Sequence, residues 1–453
     1  MKTKIYALAF ILFTFGSLFS TAAEFNVSSP VDFQSALTTA ANNGEADVIN
    51  VNDGIYNLTS TLMFYSEEDY TLSIIGEGAE FTILDGSDSR KLLIIETTMP
   101  NADVLVSNLS FMNGLGTNGA VSMNFETATL NITNCVFESN TATDFGGGLT
   151  VYSISGEVYI DGCYFENNKA TGNDAGGLFV GTDHGLISLS NSTFINNEAQ
   201  GDDAGGSMLY SDAGGTAIMF GNTYRNNLAF EDAGGAMVYL LGTGAAADIH
   251  NNLFDDNHSG LGGGGLWMRL PGGGEVNYHN NIHIGNTTQI GAGAGLLLEL
   301  QIEGDLYMSE NRFEQNEAGL ADSDVGDGGG CWIEHGAGVL SIWDNDFFDN
   351  SAYNNGGGIS VYTESGDMDF YRNRISGNQA GNVGGGLSYA TTSGIPYDYH
   401  NSFYGNSAGA TGGAIYFYMD QAPSVLYLWN SIYWNNQPNQ FEYDGPNAIM
   451  AMY

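Results

Sequence analysis

Arg269, Glu299 and Glu334 recur at one place in three successive repeats of this 453-residue chain. Carboxylates held about 5 Å apart suit a retaining glycosidase, one acting as acid and the other as nucleophile. Like-charge repulsion within such a pair would push one pKa upward. A solvated Arg-Glu-Glu run is the plainer reading of the same three residues. A second candidate is acidic. Asp174, Asp203 and Asp232 each stand four residues before a strand, in Asn-Asp-Ala-Gly-Gly, Asp-Asp-Ala-Gly-Gly and Glu-Asp-Ala-Gly-Gly. Asp327 recurs at that place and Asp144 lies one position off it. Calcium takes several oxygens at once and would relieve the repulsion of stacked carboxylates; solvated turn acids are the alternative. No cofactor is required by this reading, and calcium is the one it admits.

Aromatic side chains form the third candidate. If Leu266 and Met268 point inward, the outward row reads Tyr152, Gly181, Tyr210, Tyr239, Arg269, Glu299, Glu334, Tyr362, Ala390 and Phe417. Beside it runs Thr150, Phe179, Met208, Met237, Trp267, Leu297, Trp332, Ser360, Ser388 and Ile415. An exposed apolar stripe of this length marks a binding surface, with Tyr210, Tyr239, Trp267, Trp332 and Tyr362 as the expected contacts. A covering loop, or stacking that merely stiffens the wall, is the competing account. Cys135 and Cys163 sit at equivalent places in adjacent repeats, which permits either a disulfide or a pair of stacked thiols. Cys331 heads an inward strand. His250 and His279 also stack, but two ligands are too few for zinc.

Something must hold these columns in line, and the repeat does so. An apolar residue, two variable residues and an asparagine recur from Phe137–Asn140 through Phe165–Asn168 and Phe254–Asn257 to Ile432–Asn435, at steps near 29 residues. One longer step carries an insertion near Ala321 to Val325. A glycine turn and an alternating strand follow, as in Gly147-Gly148-Leu149 and Gly235-Ala236. A unit this short with period-2 strands cannot bury its own apolar face, but copies stacked about 4.8 Å apart can. A second asparagine lies two residues before the lead position at Asn222, Asn252, Asn281, Asn311, Asn345, Asn373, Asn401 and Asn430. Identical buried amides one coil apart can satisfy each other. The expected fold is all-β, a right-handed single-stranded parallel β-helix with an N-terminal capping α-helix. The expected divisions are a signal peptide over 1–23, a cap over 24–48 and twelve to fourteen coils over 49–453. The cap helix is expected over Val31–Ala40 with Asp32 as N-cap. The last coil reads as unfinished, so the helix is expected to continue beyond residue 453.

These Phe-x-x-Asn and Gly-Gly-Ala/Leu/Ile motifs resemble the repeats of chlamydial-type polymorphic outer-membrane proteins. Gly54-Ile-Tyr and Ile83-Leu-Asp-Gly86 are similar to the wider pectate-lyase-like β-helix superfamily. The resemblance spans residues 25–453 and implies the fold. That scaffold hosts adhesins, lyases, hydrolases and epimerases alike. Calcium-dependent pectate lyases cluster aspartates as the turn here does, yet they also need a basic residue, and none is obviously placed beside these.

Lys2 and Lys4, the apolar run Ile5 to Phe19 and Thr21-Ala22-Ala23 read as a secretory leader. Loss of both lysines takes the net charge from −42 to −44, a field that excludes nucleic acid as a partner. No stretch of the mature chain is apolar for long enough to span a bilayer. The expectation is a secreted or cell-surface (outer-membrane) rod, monomeric, recognising an extracellular glycan or a surface protein in the manner of an adhesin. The alternative is an enzyme, a polysaccharide lyase or glycoside hydrolase. Near-uniform repeats favour binding over catalysis.

Overall fold

A computed structural model describes residues 22–319, 326–420, 424–445 and 448–452. The leader expected over 1–23 lies outside these apart from its last two residues, and the insertion near 321–325 lies outside them too. The chain winds as a parallel β-helix. Each coil carries three strands and a short fourth bridge, illustrated by Leu149–Ser153, Val158–Asp161, Tyr164–Glu166 and Lys169–Ala170. We call the walls they build the first, second and third sheets. The third has fourteen strands, each paired only with the copies one coil away, so the described chain completes about thirteen turns.

Like side chains stand in columns. Leu149 pairs with Leu178 and Val151 with Val180; further on, Trp267 pairs with Leu297 and Arg269 with Glu299. Inside the third sheet Phe137, Phe165, Phe194, Tyr224 and Phe254 stack face to face at 4.7 to 5.0 Å. Such contacts add to the burial energy of each ring. His283 continues the column between Phe254 and Phe313. Burial pushes its pKa down to about 3, so it stays a neutral, aromatic member of the stack.

Both asparagine columns are continuous hydrogen-bonded ladders. Asn257 donates from Nδ2 to Asn286 Oδ1 at 3.0 Å and to the Tyr224 carbonyl at 3.0 Å, while its own Oδ1 accepts from Asn227. Asn281 and Asn311 align in the same way. Cys135 and Cys163 occupy the earliest rungs of the second ladder as free thiols, donating to the carbonyls of Val106 and Ile132. Ser192 bridges them to Asn222.

Four details correct the expected frame. The N-cap of the helix Pro30–Ala40 is Ser29, whose hydroxyl accepts from the Asp32 amide; Asp32 instead accepts the Ser29 hydroxyl at 2.7 Å. Proline at the first helical position explains the earlier start. Gly413-Ala414 forms the turn pair of the last complete coil, so Tyr416 and Tyr418 stand outward in place of the expected Ile415 and Phe417, which are buried. Likewise Tyr433 and Asn436 continue their columns rather than Ile432 and Asn435. Ser431, not Asn430, receives the Asn401 amide.

Candidate functional site

The first sheet presents two outward rows, and they have different fates. The row containing Phe179, Met208, Met237, Trp267 and Leu297 is buried; Trp267 is only 8% exposed. Ala175, Ala204 and Ala233 of the preceding turn fold over it and complete a second apolar core outside the solenoid. These three alanines hold φ of 61 to 63°, where glycine stands in neighbouring coils (Gly146, Gly263). A left-handed alanine is strained, and its methyl offsets this by sealing the row. The expectation that Trp267 offers an exposed contact is therefore overturned: the turn closes over it. Trp332 is half-buried against the edge of the same core.

The second row remains open. Tyr210, Tyr239, Arg269, Glu299 and Glu334 are half-buried and Tyr362 is 36% exposed. Tyr210 and Tyr239 meet edge to face at 5.7 Å, and the Arg269 guanidinium lies 5.4 Å from the Tyr239 ring centre. Glu299 and Glu334 are direct register partners on neighbouring coils, which places them one sheet spacing, about 4.8 Å, apart. The Glu299 carboxylate accepts from Trp267 Nε1 at 3.2 Å and forms an ion pair with the Arg269 guanidinium, whose Nε lies 3.2 Å away. Burial raises its pKa; Arg269 opposes this and Glu334 adds to it. The corner beside Glu299 is also irregular. Leu296–Ser309 runs through it as one strand, with a register shift between Leu300 and Glu303. Bulges of this kind re-aim side chains.

The aspartates form a third ladder along the edge of this wall. Asp203 N–H donates to Asp174 Oδ1 at 3.1 Å, Asp232 N–H to Asp203 Oδ1 at 2.8 Å, and Gly262 N–H to Asp232 Oδ1. Asp174, Asp202 and Asp203 bring carboxylate oxygens within 4.8 Å of one another. Asp202 is not among the expected residues, and Asp232 is outside the group. Burial pushes Asp203 up to about 8 and Asp174 and Asp232 to about 6, against the backbone donors that pull the other way. His250 and His279 stack in parallel at 4.9 Å and are not part of that cluster.

The raised carboxyls give a pH dependence. A carboxyl whose pKa is higher folded than unfolded binds its proton more tightly in the fold, so ionisation is destabilising. That penalty is absent below about pH 4 and complete above about pH 8. The melting temperature is therefore expected to rise as pH falls from 8 to 5, and Asp203→Asn to raise it at pH 8 and flatten the slope. An unchanged slope in Asp203→Asn would refute this. The same series in calcium chloride and in chelator reads whether a cation substitutes for the proton.

Comparison with known proteins agrees with this architecture. A family model described as a right handed beta helix region matches residues 176–375. The catalytic unit of a thermostable GH87 α-1,3-glucanase from Streptomyces thermodiastaticus aligns at a TM-score of 0.41 and 14% identity. It covers 92% of this chain and 70% of its own. A mannuronic acid specific family 6 polysaccharide lyase from human gut microbiota aligns at 0.40 and 14%, covering 84% and 86%. A family 6 polysaccharide lyase from Pseudopedobacter saltans aligns at 0.32 and 13%, covering 95% and 92%. No curated protein matches. The chain is a right-handed parallel β-helix. These three solved structures are described as a glycoside hydrolase and two polysaccharide lyases. Among the described residues no helix is long and apolar enough to cross a membrane.

Proposed function

We propose that the protein is an exported β-helix that recognises an extended neutral polysaccharide along the second outward row of its first sheet. The row itself carries this reading. Tyr210 and Tyr239 stand half-exposed against the sealed apolar row, and Arg269, Glu299 and Glu334 lead on from them to the exposed Tyr362. One coil advances about 4.8 Å, close to the advance of a sugar ring in an extended chain, and tyrosine suits an apolar ring face with a polar edge. Charge selects the glycan. The chain carries −42, and the one guanidinium in the row is already held by Glu299. A uronate polymer would be repelled.

Glu299 and Glu334 support a second reading on the same surface, hydrolysis with retention. They are register partners on neighbouring coils, burial raises the pKa of Glu299, and the site lies beside the register shift between Leu300 and Glu303. In that chemistry Glu299 would give its proton to the leaving oxygen while Glu334 attacks the anomeric carbon.

Affinity electrophoresis against neutral polymers (β-glucan, mannan, xylan) and anionic ones (alginate, polygalacturonate) tests both. Retardation by a neutral polymer is expected, with affinity about tenfold weaker in Tyr239→Ala and in Tyr362→Ala. Indifference to every polymer would end the proposal, and retardation by uronates alone would overturn the charge argument. New reducing ends abolished by Glu299→Gln or Glu334→Gln would establish hydrolysis; retention without them would remove it.

A further inference from the structure

The open row is interrupted once by a residue without a side chain. Gly181 lies inside the strand Leu178–Thr182, paired with Tyr152 on one coil and Tyr210 on the next. Its backbone is not in the left-handed region that favours glycine, so no turn requires it. Glycine weakens a strand interior and often marks a close approach from outside. Here the missing side chain leaves room for the Tyr152 ring to lean across the strand. A Cβ at Gly181 would lie 3.1 Å from Tyr152 Cδ1 and 2.9 Å from Phe179 Cε1. What remains above is a cavity of about 240 Å³.

Its walls are chemically mixed. Tyr152 and Tyr210 flank Gly181 on the coils before and after, Asn124 and Phe125 extend the lining one coil beyond Tyr152, and Asp183 and Asp212 add carboxylates at the rim. Tyr210 donates its hydroxyl to Asp212 Oδ1, which fixes that wall. The volume is below the range of drug-sized sites and suits a single ring. With an aromatic ring on the coil before and the coil after, one sugar ring can rest here against Tyr152.

We propose that the Gly181 notch is a subsite for one neutral pyranose ring of the bound glycan. The ring lies against Tyr152, with its hydroxyls donating to Asp183 and Asp212. The carboxylates accept only, so they favour a polyhydroxyl ring and reject a uronate. This rests on the glycan reading of the row and adds a discrete position for one ring.

The test is displacement. Protein retained on a neutral polymer is challenged with methyl glycosides of glucose, galactose, mannose and xylose. At least one is expected to displace it, and to need a more than tenfold higher concentration with Gly181→Val, which fills the notch. Tyr152→Ala, which removes the wall without adding volume, is expected to show the same loss if Gly181→Val does not fold. Unchanged displacement in Tyr152→Ala and in folded Gly181→Val would overturn the notch. So would a polymer that is retained but displaced by no glycoside. In both cases the row would stand. Failure of the unaltered protein to hold any neutral polymer would remove both.

Discussion

Asn257→Leu is expected to cost about 4 kcal/mol, although the two side chains have nearly the same shape. The substitution strips Asn227 of the acceptor for its backbone N–H at 3.0 Å and for one Nδ2 hydrogen at 2.9 Å. It also removes a donor from the Tyr224 carbonyl. All of these lie where water does not reach, and each buried orphan costs about 1–3 kcal/mol. Because stability in a solenoid is close to a sum over neighbouring coils, the loss should be local. Hydrogen exchange is expected to accelerate most around Asn227 and Asn286. Asn382→Ala, at an exposed surface amide, is expected to change almost nothing. An Asn257→Leu protein as protected as the parent would show that the ladder contributes little.

Gly235→Ala should be worse still for its size. A Cβ there would fall 2.3 Å from the Gly265 carbonyl oxygen of the next coil and 3.2 Å from the Asn257 amide. The oxygen belongs to backbone already bonded to Ala236, so it cannot rotate aside. The coils must separate or shift, breaking the bonds on both sides. A loss of about 3 kcal/mol or more is expected, at the upper end for one added methyl group. Alanine stands at the matching turn at Ala414, near the end of the described coils. Urea unfolding reads the effect, and a midpoint within error of the parent would contradict it.

Much of this is legible in the sequence because stacking repeats the same requirement in every coil. The Phe-x-x-Asn spacing alone sets the columns, and the pairing of Trp267 with Leu297 follows from it. Alternation, however, reports only which face a side chain takes. It does not reveal that a turn folds back over Trp267, although Asp-Ala-Gly-Gly in place of a third glycine is a visible trace. The frame slips by one residue where the repeat weakens. Ile432-Tyr-Trp-Asn435 imitates the motif, but Asn436 makes the ladder bond. The adjacency of Glu299 and Glu334 is legible even across the longer step. The notch is hidden, since a lone glycine among many does not announce that it is there for space.

The amide columns also have a sense. Each Asn presents its oxygen to the coil before and its nitrogen to the coil after, from Asn140, whose Oδ1 takes the Gly114 N–H, to Asn436, whose Nδ2 reaches Gln440. Eleven dipoles in the longer file, and those of its neighbour, therefore add head to tail instead of cancelling as strand dipoles do. The rod is electrically polar, with its negative pole toward the capped end. A duplicated coil spliced in would join the file in the same orientation, leaving both poles as they were.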